Sequence, residues 1–147
     1  MTDKIIPTPC IGICSTVYGD DVCRGCQRTF VEITQWNGYD NHQKRTVLDR
    51  IAELKQQVLQ KHFNIVDQVQ LAKVFTSLQV RQTEHTDSWS QLYFVLRTSA
   101  QQLADLSSIG VAFASESRWN NMRVAKAFAK IDEEIYAMAC GDEIAAQ

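Results

Sequence analysis

Residues 9–36 read PCIGICSTVYGDDVCRGCQRTFVEITQW and hold four of the five cysteines, Cys10, Cys14, Cys23 and Cys26. Their spacing is C-x3-C-x8-C-x2-C. Four thiols this close together, in a chain with no export signal, read as metal ligands rather than disulfide partners. Pro7 and Pro9 keep the residues before them out of the α region, so the chain should enter Cys10 extended. Gly12 can take φ > 0 and curl the backbone so that amide N–H groups face sulfur. Gly25 is expected to play the same part between Cys23 and Cys26. Gly19-Asp20-Asp21 is a turn signal that returns the chain to the second cysteine pair.

Outward from this stretch, Thr29 and Glu32 fit a capping box that opens a short helix from Phe30 to Trp36, ended by Asn37-Gly38. Asp40 then caps a long helix to about Phe63. Val47, Leu48, Ile51, Leu54, Val58 and Leu59 recur along it at helical spacing. Beyond Asn64 the pattern is mixed. Residues 65–75 read as helix. Residues 74–81 alternate like a strand and residues 91–97 are rich in β-formers, which together suggest a hairpin around the polar turn 83–88. A short helix is expected over 99–107, a third strand over 109–114 opened by Gly110, and a last helix over 119–138 stopped by Gly141. The fold class is therefore α+β and mainly helical: an N-terminal cysteine-rich metal knuckle, then helices and a small antiparallel sheet. Residues 1–60 form the metal-binding module with its following helix. Residues 61–147 form an α+β half expected to pack on the first.

Composition narrows the function classes. A chain of 147 residues with net charge −2, 45% hydrophobic and 22% charged, is an ordinary globular domain. Residues 1–60 carry seven basic and seven acidic side chains, and residues 61–147 carry eight and ten. Neither half has the basic footprint of a nucleic-acid binder. The start MTDKIIPTPC holds no signal-peptide core, and no run approaches the ~20 apolar residues of a membrane span. A reduced, cytoplasmic setting is the expectation.

Paired cysteines two to four residues apart, joined by a longer loop, suit zinc. Iron–sulfur clusters also take four thiolates, though in other familiar spacings. Either centre leaves a net charge of −2 that Arg24, Arg28 and inward amides would offset. Arg28 has a rival role, pairing with Glu32 one turn on. Trp36 either stacks over the centre or serves as a core residue beneath the loop. Cys140 reads as an inert, partly buried helical thiol. His42, His62 and His85 share no metal spacing and read as surface or helix-end residues. Asp132-Glu133-Glu134 reads as the solvated face of the last helix.

The string TPCIGIC, then CRGCQRT, Glu32-Ile33, Trp36 and the Arg45–Arg50 helix resemble the small bacterial four-cysteine family of predicted iron–sulfur proteins of unknown function (YdhL-like). The resemblance covers residues 7–55. It implies Cys10, Cys14, Cys23 and Cys26 as ligands and an iron–sulfur cluster as cofactor, with zinc the alternative from spacing. Two roles follow: a redox or sensing module acting through another protein, or a structural zinc module that presents a binding surface. An enzyme is the least supported class, because no acid, base and nucleophile constellation is visible. Four bound cysteines would also leave zinc no open position.

Overall fold

The capping box at Thr29 forms with both of its hydrogen bonds. The structure, a computed structural model, describes residues 5–12, 14–78 and 87–145, with side chains as far as residue 141. Thr29 Oγ1 accepts the Glu32 amide at 3.2 Å, and Glu32 Oε1 accepts the Thr29 amide at 2.8 Å. Two of the first turn's orphan donors are thereby satisfied, and α1 (Phe30–Gln35) begins there. A 3-10 turn, Trp36–Gly38, closes it. Asp40 and Gln43 repeat the reciprocal bonds, at 2.7 and 2.9 Å, to open α2 (Asn41–His62). All six apolar positions expected on its buried stripe are buried.

Among the described residues, 5–12, 14–54 and 136–145 make one compact unit, and 55–78 with 87–135 make another. The first is centred on Ile6, Trp36, Val47, Leu48 and Ile51, with Tyr39 packed against them. Trp36 is thus a core residue of α2's inner face. Arg50 grips Glu32 in a fork at 2.6 and 2.8 Å, which ties α1 to α2.

In the second unit, α3 (Gln68–Leu78) and α4 (Ser88–Ser99) bury Leu71, Phe75, Leu92, Val95 and Leu96. Phe75 meets Phe94 edge-on at 5.3 Å. The small antiparallel sheet pairs β1 (Phe63–Ile65) with β2 (Val111–Phe113), in the register Phe63–Phe113 and Ile65–Val111. Gly110, at φ 76°, leads into β2, and its carbonyl accepts the Val66 and Asp67 amides. A Cβ at Gly110 would meet the Asp67 carbonyl oxygen at 2.5 Å, so only glycine fits. From α5 (Val124–Ala145), the residues Val124, Ala127, Phe128, Ile131 and Ile135 complete this core.

The mainly helical α+β class holds, and several elements differ from expectation. Residues 91–97 lie within α4 and are not a strand. Asp87 caps that helix by accepting the Ser90 amide at 3.2 Å, and the aromatic and β-branched residues simply fill its buried face. Residues 74–78 belong to α3, and residues 79–86, with most of the expected turn, lie outside the described residues, as does Ile13. The helix expected over 99–107 is replaced by turns and a 3-10 turn at Leu106–Ile109, which Asp105 caps through the Ser107 amide. The last helix starts at Val124, five residues beyond Trp119, and passes through Gly141 to Ala145. A glycine stops a helix only where the chain turns left-handed after it, and this backbone stays helical.

Candidate metal centre

Cys23 begins a tight turn. Its amide donates to the Arg28 carbonyl at 2.9 Å, and its carbonyl accepts the Gln27 amide at 2.8 Å. Gln27 takes the left-handed conformation, φ 62°, which turns the chain directly after Cys26. Val22 and Thr29 bridge across the mouth of the turn. The backbone amides of Cys26, Ser15 and Gly25 and the Cys26 thiol all favour the charged form of Cys23. Burial pushes the Cys23 thiol up, but these donors outweigh it and bring it below the ordinary value. Cys26 goes the other way. Burial raises it, and Arg28, whose Nε donates to Cys26 Sγ at 3.3 Å, offsets only part.

Arg28 is 4% exposed, with its guanidinium 4.9 Å from the centre of the Trp36 ring. Of its two expected roles, the one at sulfur is found, because Glu32 is taken by Arg50. Trp36 therefore supports the site at one remove, by stacking on the arginine that touches Cys26. Arg24 pairs with Asp20 at 3.5 Å and lies over the Tyr136 ring at 4.2 Å.

Cys10 and Cys14 are half-buried on the incoming arm. Gly12, at φ 88°, donates its amide to Cys10 Sγ at 3.4 Å, the curl expected of it. Cys14 Sγ lies 2.9 Å from Thr16 Oγ1. Ser15 joins this arm to the second pair, since its amide favours the charged form of Cys23 and its hydroxyl accepts the Arg24 amide at 2.9 Å.

The structure thus brings Cys23 and Cys26 side by side, and the incoming arm meets the second pair through the Ser15 hydroxyl, which accepts the Arg24 amide. Among the described residues no group of three or more His, Cys, Asp or Glu is gathered closely enough to hold a metal ion. The donor chemistry of the second pair fits a thiolate centre: amides that favour the charged form of one cysteine and a buried cation at the other are what negative sulfur needs.

A second polar cluster, built from residues far apart in sequence, lies in the other unit. His62 ends α2 but is 5% exposed, so it is no surface residue. Its Nδ1 lies 2.7 Å from Ser117 Oγ and its Nε2 lies 2.8 Å from Glu134 Oε2. The Trp119 amide donates to Ser117 Oγ, and Lys61 stands 3.6 Å from Glu134. Asp132 accepts the Tyr93 hydroxyl at 2.8 Å, so only Glu133 of the acidic run is left as solvated face. Separations of 55 and 72 residues left no pattern by which the sequence could show this cluster. It is a buried cross-tie: Ser117 is 5% exposed and its oxygen already accepts a backbone amide.

Cys140 is half-buried on α5. No described helix is long and apolar enough to cross a membrane. No curated protein and no solved structure matches the chain. Over residues 8–55, about a third of its length, the chain is similar to a family described as a protein of unknown function (DUF1289), so the cysteine segment, α1 and about the first two thirds of α2 are what it shares with an uncharacterised family.

Proposed function

We propose that Cys10, Cys14, Cys23 and Cys26 hold a metal centre, and that the protein works as a redox or oxidant-sensing module through a protein partner. The observation that carries this reading is the Cys23–Cys26 turn, with three amides and a thiol favouring the charged form of Cys23 and buried Arg28 on the Cys26 sulfur. A neutral core thiol is a weak acceptor and needs none of these donors. The PCIGIC and CRGCQRT strings favour an iron–sulfur cluster, which would supply a one-electron couple when bound. Ligands drawn entirely from cysteine leave no place for a substrate, so the role is exercised through a partner. A reduced, cytoplasmic setting suits half-buried thiols such as Cys10 on the incoming arm.

A structural zinc is the second reading, favoured by the C-x3-C-x8-C-x2-C spacing. In that case the ion contributes folding energy to residues 9–36 and the module is a scaffold.

Purification without air, followed by metal and sulfide analysis, separates the two. Brown protein with stoichiometric iron and sulfide supports the cluster, and colourless protein with one tight zinc supports the scaffold. Cys23→Ser with unchanged metal content and folding would overturn both.

A further inference from the structure

Tyr136 lies far outside the family-matched segment, on α5, yet it touches the arm that carries Cys23. Its hydroxyl donates to the Val22 carbonyl at 3.2 Å. That carbonyl belongs to the same peptide unit as the Cys23 amide, which donates to the Arg28 carbonyl at 2.9 Å. The peptide plane before Cys23 is thus held from both sides, and its orientation sets the direction of the Cys23 Cα–Cβ bond. On the other flank of Cys23, the Arg24 guanidinium lies 4.2 Å from the Tyr136 ring centre. One side chain holds both neighbours of the cysteine whose charged form three amides favour.

We infer that Tyr136 is a positioning residue of the metal centre, fixing the Val22–Arg24 arm so that Cys23 keeps its aim and the bound ion is released slowly. The inference rests on the metal-centre reading and adds to it a residue that the matched segment lacks. Tyr136→Phe removes the hydroxyl donor and leaves a ring beneath Arg24. Tyr136→Leu removes both.

The test uses the full chain loaded with cobalt(II) alone, whose sulfur-to-metal absorption reports thiolate ligation, and follows release to a chelator. Tyr136→Phe is expected to bind the same amount of cobalt with the same thiolate band and release it about 3- to 10-fold faster, as loss of one hydrogen bond predicts. Tyr136→Leu should release faster still. The melting temperature of metal-free Tyr136→Phe should stay within about 2 °C of the parent, which separates positioning from general stabilisation. Release within twofold of the parent, or faster release matched by an equal loss of metal-free stability, overturns the inference. Should Tyr136→Leu fail to fold, the Phe variant decides alone. A parent protein that takes up no cobalt, or a Cys23→Ser variant that takes it up unchanged, fails the metal-centre reading itself, and this inference with it.

Discussion

Gln27 occupies a conformation that glycine adopts freely and glutamine does not, φ 62°, and it does so while 1% exposed. Its Nε2 donates to the Arg24 carbonyl at 3.0 Å, which repays part of the strain. Gln27→Ala loses that bond and keeps the strain, whereas Gln27→Gly loses the bond and relieves it. Urea unfolding should find the Gly variant about 1 kcal/mol more stable than the Ala variant. Equal stabilities would mean the turn after Cys26 is not left-handed. Glu32 provides a pH test. Burial raises its carboxyl, but the Arg50 fork and the Thr29 amide outweigh burial and hold it below the ordinary 4.5. A depressed carboxyl adds stability above its unfolded value and loses it as pH falls through the folded one. The parent should therefore lose more stability than Glu32→Gln between about pH 5 and pH 3, by up to about 1 kcal/mol given Arg50's exposure. Parallel pH profiles for the two proteins would refute the assignment. Gly12 was legible from sequence, because a glycine between cysteines announces its freedom. Gln27 was not, because nothing in a glutamine signals φ > 0.

At the scale of elements, caps proved more telling than composition. Thr29–Glu32 and Asp40–Gln43 opened α1 and α2 where expected, and α2's stripe is unambiguous over 22 residues. In α4, SWSQLYFVLRTS is rich in strand formers, and only Asp87 with Ser90 betrays a helix start. Asp87→Ala should lower stability by about 1 kcal/mol, and thermal unfolding at constant pH would show it. No change would place α4's start elsewhere. The strand β1 could not be read from the sequence at all, since Phe63–Ile65 follows α2 without a break and finds its partner 46 to 50 residues later. His62 shows the same limit. Its bonds to Ser117 and Glu134 connect the end of α2, the loop before α5 and α5 itself. His62→Ala removes two hydrogen bonds from partners that keep one contact each, Ser117 with the Trp119 amide and Glu134 with Lys61, and should cost about 1–3 kcal/mol in denaturant unfolding. A cost under about 0.5 kcal/mol would show the cluster to be ornamental to stability.

At the scale of the whole molecule, one compact unit and the family-matched segment end at neighbouring residues, Leu54 and residue 55, and the unit adds only residues 136–145 of α5 among those described. The candidate ligands were legible because cysteine spacing is a local signal. The supporting residues Arg28 and Trp36 were legible as candidates, but their arrangement, arginine on sulfur and tryptophan under arginine, depends on folding. Tyr136 was invisible, since 113 residues separate it from Cys23. This division has a consequence for metal removal. The cysteine-bearing unit has a small apolar cluster of Ile6, Trp36, Val47, Leu48 and Ile51, and between Pro7 and Thr29 its backbone has few helical bonds to lean on. The other unit buries Val58, Leu59, Leu71, Leu92, Val95, Leu96, Ile109 and Ile131 to 2% exposure or less, with its own helices and sheet. A core of that kind keeps its amides protected without help from an ion, whereas a ligand that binds only the folded cysteine turn stabilises only what is coupled to that turn. On the proposed metal-centre reading, stripping the ion with a chelator under reducing conditions should therefore speed amide hydrogen exchange at Cys23, Gln27 and Phe30 by 10-fold or more (roughly 1.4 kcal/mol), while α3 and α4 exchange at unchanged rates. If residues 68–78 and 88–99 lose protection in step with the cysteine turn, the two units unfold as one and the ion stabilises the entire chain.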